Sequence, residues 1–229
     1  MVGTVYNAIA VGIGASLGLV LGNRIPSGFR DAAFVALGLF TLGIGILMVG
    51  DMAQPFAVFL ALVLGALLGH AAKLDRRMQS WTDRLGKGTG AALTQSVLLF
   101  CAGAMTLIGC MADGLEGDPT ILFVKGTMDF VSSAFLAAAL GRGVLLAAPA
   151  VFIIQGSLTG FFKGIGTELS LGLIQDLTGL GGILLLALGL DLLKIRSFKL
   201  LNLIPAFALL PLLRPFALWV QETLPSLIF

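Results

Sequence analysis

The stretch GDPTILFVKGTMDFVSSAFLAAALG (residues 117–141) decides how the whole chain is read. Most of it is an apolar helix of the length that crosses a bilayer, about 20 residues. It nevertheless holds Lys125 and Asp129 four residues apart, on one helical face. Counted from Pro119 at 1.5 Å per residue, Lys125 lies about 9 Å and Asp129 about 15 Å along the axis, near the middle of the hydrocarbon. An ionised group there costs about 2.5–3.5 kcal/mol on insertion scales. Both side chains are therefore expected to face protein or water. Ser132 and Ser133 continue the polar character one turn deeper.

The rest of the chain has the same composition. Of 229 residues, 58% are hydrophobic and only 11% charged, and the mean hydropathy is +1.04. Soluble domains carry about 25% charged residues. A chain of this length could not hide so much apolar surface from water. The reading is a single all-α integral membrane domain over 1–229, a bundle of seven to eight spans whose principal partner is the lipid bilayer. A net charge of +2 gives no reason to invoke nucleic acid.

Spans are expected at about 3–22, 32–50, 53–72, 91–110, 120–140, 144–162, 170–193 and 200–220. The first is read as a retained span and not a signal peptide, because no basic segment precedes it. Asn23, Arg24, Pro26, Ser27 and Gly28 end it. Asp118 and Pro119 mark the start of the fifth span. The basic stretch 73–88 reads as a loop beside anionic lipid. Pro205, Pro211 and Pro215 leave the last region open as a broken span or a span plus an interfacial helix. Lys and Arg gather in alternate loops, around Arg24, Arg76, Lys87, Arg142 and Arg196, while 111–119 holds only acids. The positive-inside rule then puts the N-terminus outside.

Residues 13–22 echo 154–164, and 37–51 echo 178–193. The offset is five spans, so the expected repeat, spans 1–3 against 6–8, is inverted, as in many secondary transporters. Gly14, Gly18 and Gly22, with Gly65 and Gly69, form small-residue faces suited to helix packing or a homo-oligomer contact. Cys101 and Cys110 are expected in one helix on roughly opposite faces, as buried small residues.

Polar residues at similar depth complete a candidate site for a hard cation, a proton or another small solute: Asp129, Lys125, Ser132, Ser133, Gln155, Ser157, Asp176 and Asn7. Gln95 and Thr159 are further intramembrane polar groups. The alternative is a non-transporting scaffold, with the 125/129 pair as a structural lock. No nucleophile–base pair, phosphate loop or metal-ligand cluster is legible, so no enzyme activity, metal or cofactor is expected.

The segment GAMTLIGCMADGLEGDPTILFVKGTMDFVSSAFLAAALGRGV, followed by IIQGSLT, resembles the domain of unknown function 554 family, the YqgA-like bacterial inner-membrane proteins. The matching positions are Asp113, Gly114, Gly117, Asp118, Lys125, Asp129, Ser132, Ser133, Gly141, Gly143, Gln155, Gly156 and Ser157. Family members often carry Ser and Gln where this chain has Cys110 and Ala112, and Ser in place of Gly126. The resemblance implies a polytopic inner-membrane protein and supplies no substrate.

Overall fold

In a computed structural model the chain is described at residues 1–22, 27–82, 84 and 88–223. Ten α-helices follow one another among these residues: α1 (Val2–Gly22), α2 (Ser27–Gly50), α3 (Pro55–Ala71), α4 (Leu74–Thr82), α5 (Thr89–Cys101), α6 (Ala104–Leu115), α7 (Thr120–Leu140), α8 (Ala147–Ile165), α9 (Leu171–Leu192) and α10 (Pro205–Thr223). Short 3₁₀ turns at Arg142–Leu146 and Leu200–Leu203 lead into α8 and α10. Of the residues expected to end the first span, Asn23, Arg24 and Pro26 lie outside the described residues, as does Lys87.

Five segments are long and apolar enough to cross a membrane, and the number reaches seven if each of two bent helix pairs is one span. Their exposed faces carry Ile13, Val20, Phe59, Leu67, Phe135, Ile153 and Leu212, a surface suited to acyl chains. One apolar core lies among α2, α3, α9 and α10, around Val58, Leu184, Leu188 and Leu210. A second lies among α1, α5, α7 and α8, around Val11, Phe100, Leu136 and Val151.

Close backbone approach sets the helix pairing. A Cβ on Gly18 would run into the carbonyl of Ala134, and one on Gly22 would come 2.9 Å from Ala138 Cα. The glycine face of α1 is therefore seated on α7, the two helices running parallel. Gly38 faces Gly189 and Gly45 faces Gly182, so α2 and α9 run antiparallel. Gly65 meets Ala206 and Gly69 meets Asn202, which pairs α3 with α10 in the same sense. Each of these small-residue faces is occupied within the chain.

Three expectations are corrected. The fourth span is not continuous: α5 and α6 meet at Ala102–Gly103 with a bend of 63°. Cys101 and Cys110 consequently lie on different helices. The basic stretch after α3 is helical over Leu74–Thr82 and bends 48° away from α3. In the last region α10 runs unbroken through Pro211 and Pro215.

Candidate functional site

The polar residues of α1, α7 and α8 converge because the seams between these helices put them on facing sides. Lys125 Nζ donates to Asp129 Oδ2 at 2.5 Å, and each residue is only 6% exposed. Spacing of one turn on α7 makes the pair possible, and the missing side chain at Gly126 lets α1 approach at Asn7. Asn7 is fully buried beside the Asp129 carboxylate. Thr4, one turn before Asn7, shares a hydrogen bond of 3.2 Å with Thr159 on α8. Gln155 lies one turn from Thr159 on the same face of α8 and is also fully buried.

Neither atom of the Gln155 amide has a hydrogen-bond partner among the described residues, and the Asn7 amide reaches only the Asp129 carboxylate, at the margin of a hydrogen bond. A buried amide without partners costs about 1–3 kcal/mol. Buried amides of this kind offer both donors and acceptors to a water, an ion or a polar solute. Asp113 Oδ2 also has no partner among the described residues, while its Oδ1 accepts from the Met1 ammonium at 2.6 Å.

The break between α5 and α6 approaches the same region. Cys101, the last residue of α5, lies within electrostatic reach of Lys125 and Asp129. Thr106 Oγ1 donates across the break to the Phe100 carbonyl at 3.0 Å. A Cβ on Gly181 would strike the Ala102 carbonyl oxygen, so α9 covers the break from the other side. Irregular backbone at membrane depth is tolerated only where protein or a cavity surrounds it.

The expected residues divide. Asp129, Lys125 and Asn7 come together, and Gln155 lies one turn from Thr159 on the face of α8 that meets α1. Ser133 is buried but donates to Phe130 O on its own helix and sits against Gly14, which makes it part of the α1–α7 seam. Ser132 is half-buried on the next face. Ser157 is exposed on α8 and donates to Ile153 O. Asp176 belongs to a different cluster altogether. Its Oδ2 accepts from Arg214 Nε at 2.8 Å, and its Oδ1 accepts the backbone N–H groups of Ala53 and Gln54 at 2.9 and 2.6 Å. It caps the start of α3 from α9. Gln95, in α5, donates to Asp191 Oδ2 at 2.8 Å.

Sequence reasoning missed Thr4, Asp113 and Arg214. Thr4 and Asn7 at i, i+3 on an otherwise apolar helix carried a usable signal. Asp113 was read into the acidic loop, but α6 extends to Leu115 and buries it. Asp118 stays in the loop as expected: its Oδ1 accepts from Thr120 Oγ1 at 2.6 Å and Thr120 N at 2.9 Å, which holds its carboxyl below the usual carboxylate range.

A family model described as "Protein of unknown function (DUF554)" matches residues 2–214. The chain belongs to the DUF554 family. Two relatives show how far the likeness extends. The "Uncharacterized membrane protein YdfK" of Bacillus subtilis (strain 168) is 32% identical over 216 residues, covering 92% of this chain and 94% of that protein. The "Uncharacterized protein YqgA" of Escherichia coli (strain K12) is 32% identical over 232 residues, covering 96% and 99%. No solved structure matches significantly. This DUF554 chain is accordingly a membrane protein, and its cluster on α1, α7 and α8 falls wholly inside the family match.

Proposed function

We propose that this protein is a transporter or channel for a small ion or solute, with its site between α1, α7 and α8. The observation that carries the reading is the buried Lys125–Asp129 pair with the Asn7 amide against its carboxylate, together with the buried, unpartnered Gln155 amide on the face of α8 that meets α1. Asp129 is the anionic ligand. Lys125 is the internal cation that leaves it when the permeant species binds. The Asn7 and Gln155 amides supply neutral donors and acceptors, with the Thr4 and Thr159 hydroxyls one turn away. Asp176 and Ser157 have no part in it.

Two features support transport over a passive bundle. A span broken near its own middle, as between α5 and α6, is a recurrent device of secondary transporters. The contacts of α2 with α9 and of α3 with α10 are antiparallel, the relation that an inverted repeat of spans 1–3 and 6–8 produces. The distribution of Lys and Arg favours an outer N-terminus. The relatives in E. coli and B. subtilis favour a bacterial cytoplasmic membrane. An enzymatic role has no support in the cluster.

The rival reading is a scaffold, favoured by the direct closure of Lys125 on Asp129. Proteoliposomes on a solid-supported membrane, stepped in turn through Na⁺, K⁺, H⁺, Cl⁻ and neutral amino acids, separate the two. Transport predicts a current with at least one of these that disappears in Asp129→Asn while the variant inserts and melts as the parent does. Equal currents in parent and variant would remove Asp129 from the site. Silence of the parent across the panel favours the scaffold.

A further inference from the structure

A second site lies at the other end of the bundle. α3 ends at Ala72, and the chain turns through Lys73 into α4. Between this turn and Leu200–Leu203 is a pocket of about 110 Å³ lined by His70, Lys73, Asp75, Arg76, Lys199 and Asn202. That is room for several waters or one small oxyanion. Three basic side chains, Lys73, Arg76 and Lys199, share this lining with one carboxylate. None of the three cations makes an ion pair among the described residues, and Asp75 Oδ2 already accepts from Gln79 Nε2 at 3.1 Å.

Two details distinguish the pocket from a scatter of surface lysines. Asn202, 8% exposed, is its buried wall. Its Oδ1 accepts the Asp75 backbone N–H at 3.2 Å. That bond fixes the amide orientation, because a backbone N–H requires an oxygen acceptor. Asn202 Nδ2 is then left as a donor with no hydrogen bond to any described residue, on a residue that lines the pocket. The second detail is Lys73 itself, at φ 54°. A residue with a Cβ is disfavoured in the left-handed region by roughly 1–2 kcal/mol. Glycine occupies such positions after helices at Gly117, Gly141 and Gly166, while Lys194, after α9, is the other lysine held there. At position 73 an ammonium is kept where glycine would be easier.

We propose that this pocket binds a phosphate group. Two ammonium groups, a guanidinium fork and an amide donor come from separate elements. That arrangement matches the three or four acceptor oxygens of a tetrahedral oxyanion better than the two coplanar oxygens of a carboxylate. Asp75, Arg76 and Lys199 also wall a neighbouring cavity of about 360 Å³ that continues past Phe198, Leu200 and Leu201. A phosphate bearing an apolar tail therefore has somewhere to extend. The phosphate has two sources, an anionic lipid headgroup or the free ion. No residue of the α1, α7 and α8 cluster takes part, so the proposal stands or falls apart from transport.

The test uses the full-length protein in detergent. Inorganic phosphate, with chloride at matched ionic strength as reference, is added in thermal unfolding. Native mass spectrometry then compares retention of phosphatidic acid with that of phosphatidylcholine. The expected result is a rise in Tm of about 3–5 °C with phosphate, phosphatidic acid, or both. A response to phosphatidic acid alone identifies a lipid headgroup, and a response to both identifies the phosphate as sufficient. Arg76→Ala with Lys199→Ala removes the shift. Lys73→Gly is the sharper variant: it melts no lower than the parent, because the backbone strain is gone, and loses at least half of the response. No shift with either probe, an equal shift with chloride, or an undiminished shift in the variants overturns the proposal.

Discussion

Arg214 Nε meets Asp176 Oδ2 at 2.8 Å across the α9–α10 contact, while the other oxygen of the same carboxylate holds the first N–H groups before α3. Asp176 is fully buried and Arg214 largely so. Gly172 leaves the space through which the guanidinium passes. One carboxylate thereby joins three helices.

This bond predicts an asymmetric cost. Asp176→Ala strands a guanidinium and two backbone donors, and is expected to destabilise by about 3–5 kcal/mol. Arg214→Met with Asp176→Leu is expected to lose less than Asp176→Ala alone, although the Ala53 and Gln54 donors remain unmet. Thermal melts in detergent measure both. An Asp176→Ala protein that melts with the parent would show that the three-helix junction contributes nothing.

The seam between α1 and α7 gives a packing prediction. A Cβ on Gly18 meets backbone atoms of Ala134 that no side-chain rotation can move. Gly18→Val is expected to lower stability by at least about 1–3 kcal/mol through overpacking. Gly43 is the control, because a Cβ there meets nothing within 4 Å. Gly43→Ala is expected to be neutral or to gain up to about 1 kcal/mol from helix propensity. Equal melting of both variants contradicts the register described for α1 on α7.

How much of this was legible in the sequence follows from the range of each signal. Hydropathy is a local property, and it placed five of the eight expected spans on segments long and apolar enough to cross; 53–72 and 91–110 fall in bent pairs, and 32–50 holds only the shorter apolar helix Phe34–Gly50. The GxxxG faces were recognisable as packing surfaces, but which helix each would receive depended on tertiary arrangement. The α5–α6 break was missed because Cys101-Ala102-Gly103-Ala104 carries no charge or proline, so the run stays apolar through the bend. Depth alone grouped Asp176 with Asp129. Depth is one coordinate of three, and the Arg214 partner was hidden in a proline-interrupted stretch left open as a broken span or a span plus an interfacial helix. Lys125 with Asp129 was legible because both lie on one helix at one-turn spacing. Asn7 joined them only through the contact of α1 with α7.

The Asp118 cap has a pH signature. Hydrogen bonds from the Thr120 hydroxyl, then from the Thr120 backbone, depress its pKa. For an acid with a depressed folded-state pKa, the contribution is complete above the unfolded value of about 3.9 and disappears as pH falls through the lower folded value. Amide exchange in the first turn of α7 is therefore expected to accelerate as pH drops below about 4, after correction for intrinsic rates. Asp118→Asn is expected to flatten that dependence. An unchanged profile in the variant assigns the effect to another group.

The Lys125–Asp129 pair offers the measurement that bears most directly on function, because stability and transport respond to it in opposite ways. Either Lys125→Leu or Asp129→Leu alone leaves one uncompensated charge at 6% exposure, a loss of about 3–5 kcal/mol. Replacing both removes the desolvation cost together with the bond, and the double variant is expected to melt with the parent or above it. For a scaffold that result would complete the matter: the protein would be sturdier and no less able to assemble. For a transporter the same sturdier protein should be inert, since no carboxylate remains to receive the permeant species and no cation to yield to it. A double Leu variant that keeps its melting temperature and loses all flux therefore supports a working site, and one that keeps both refutes it.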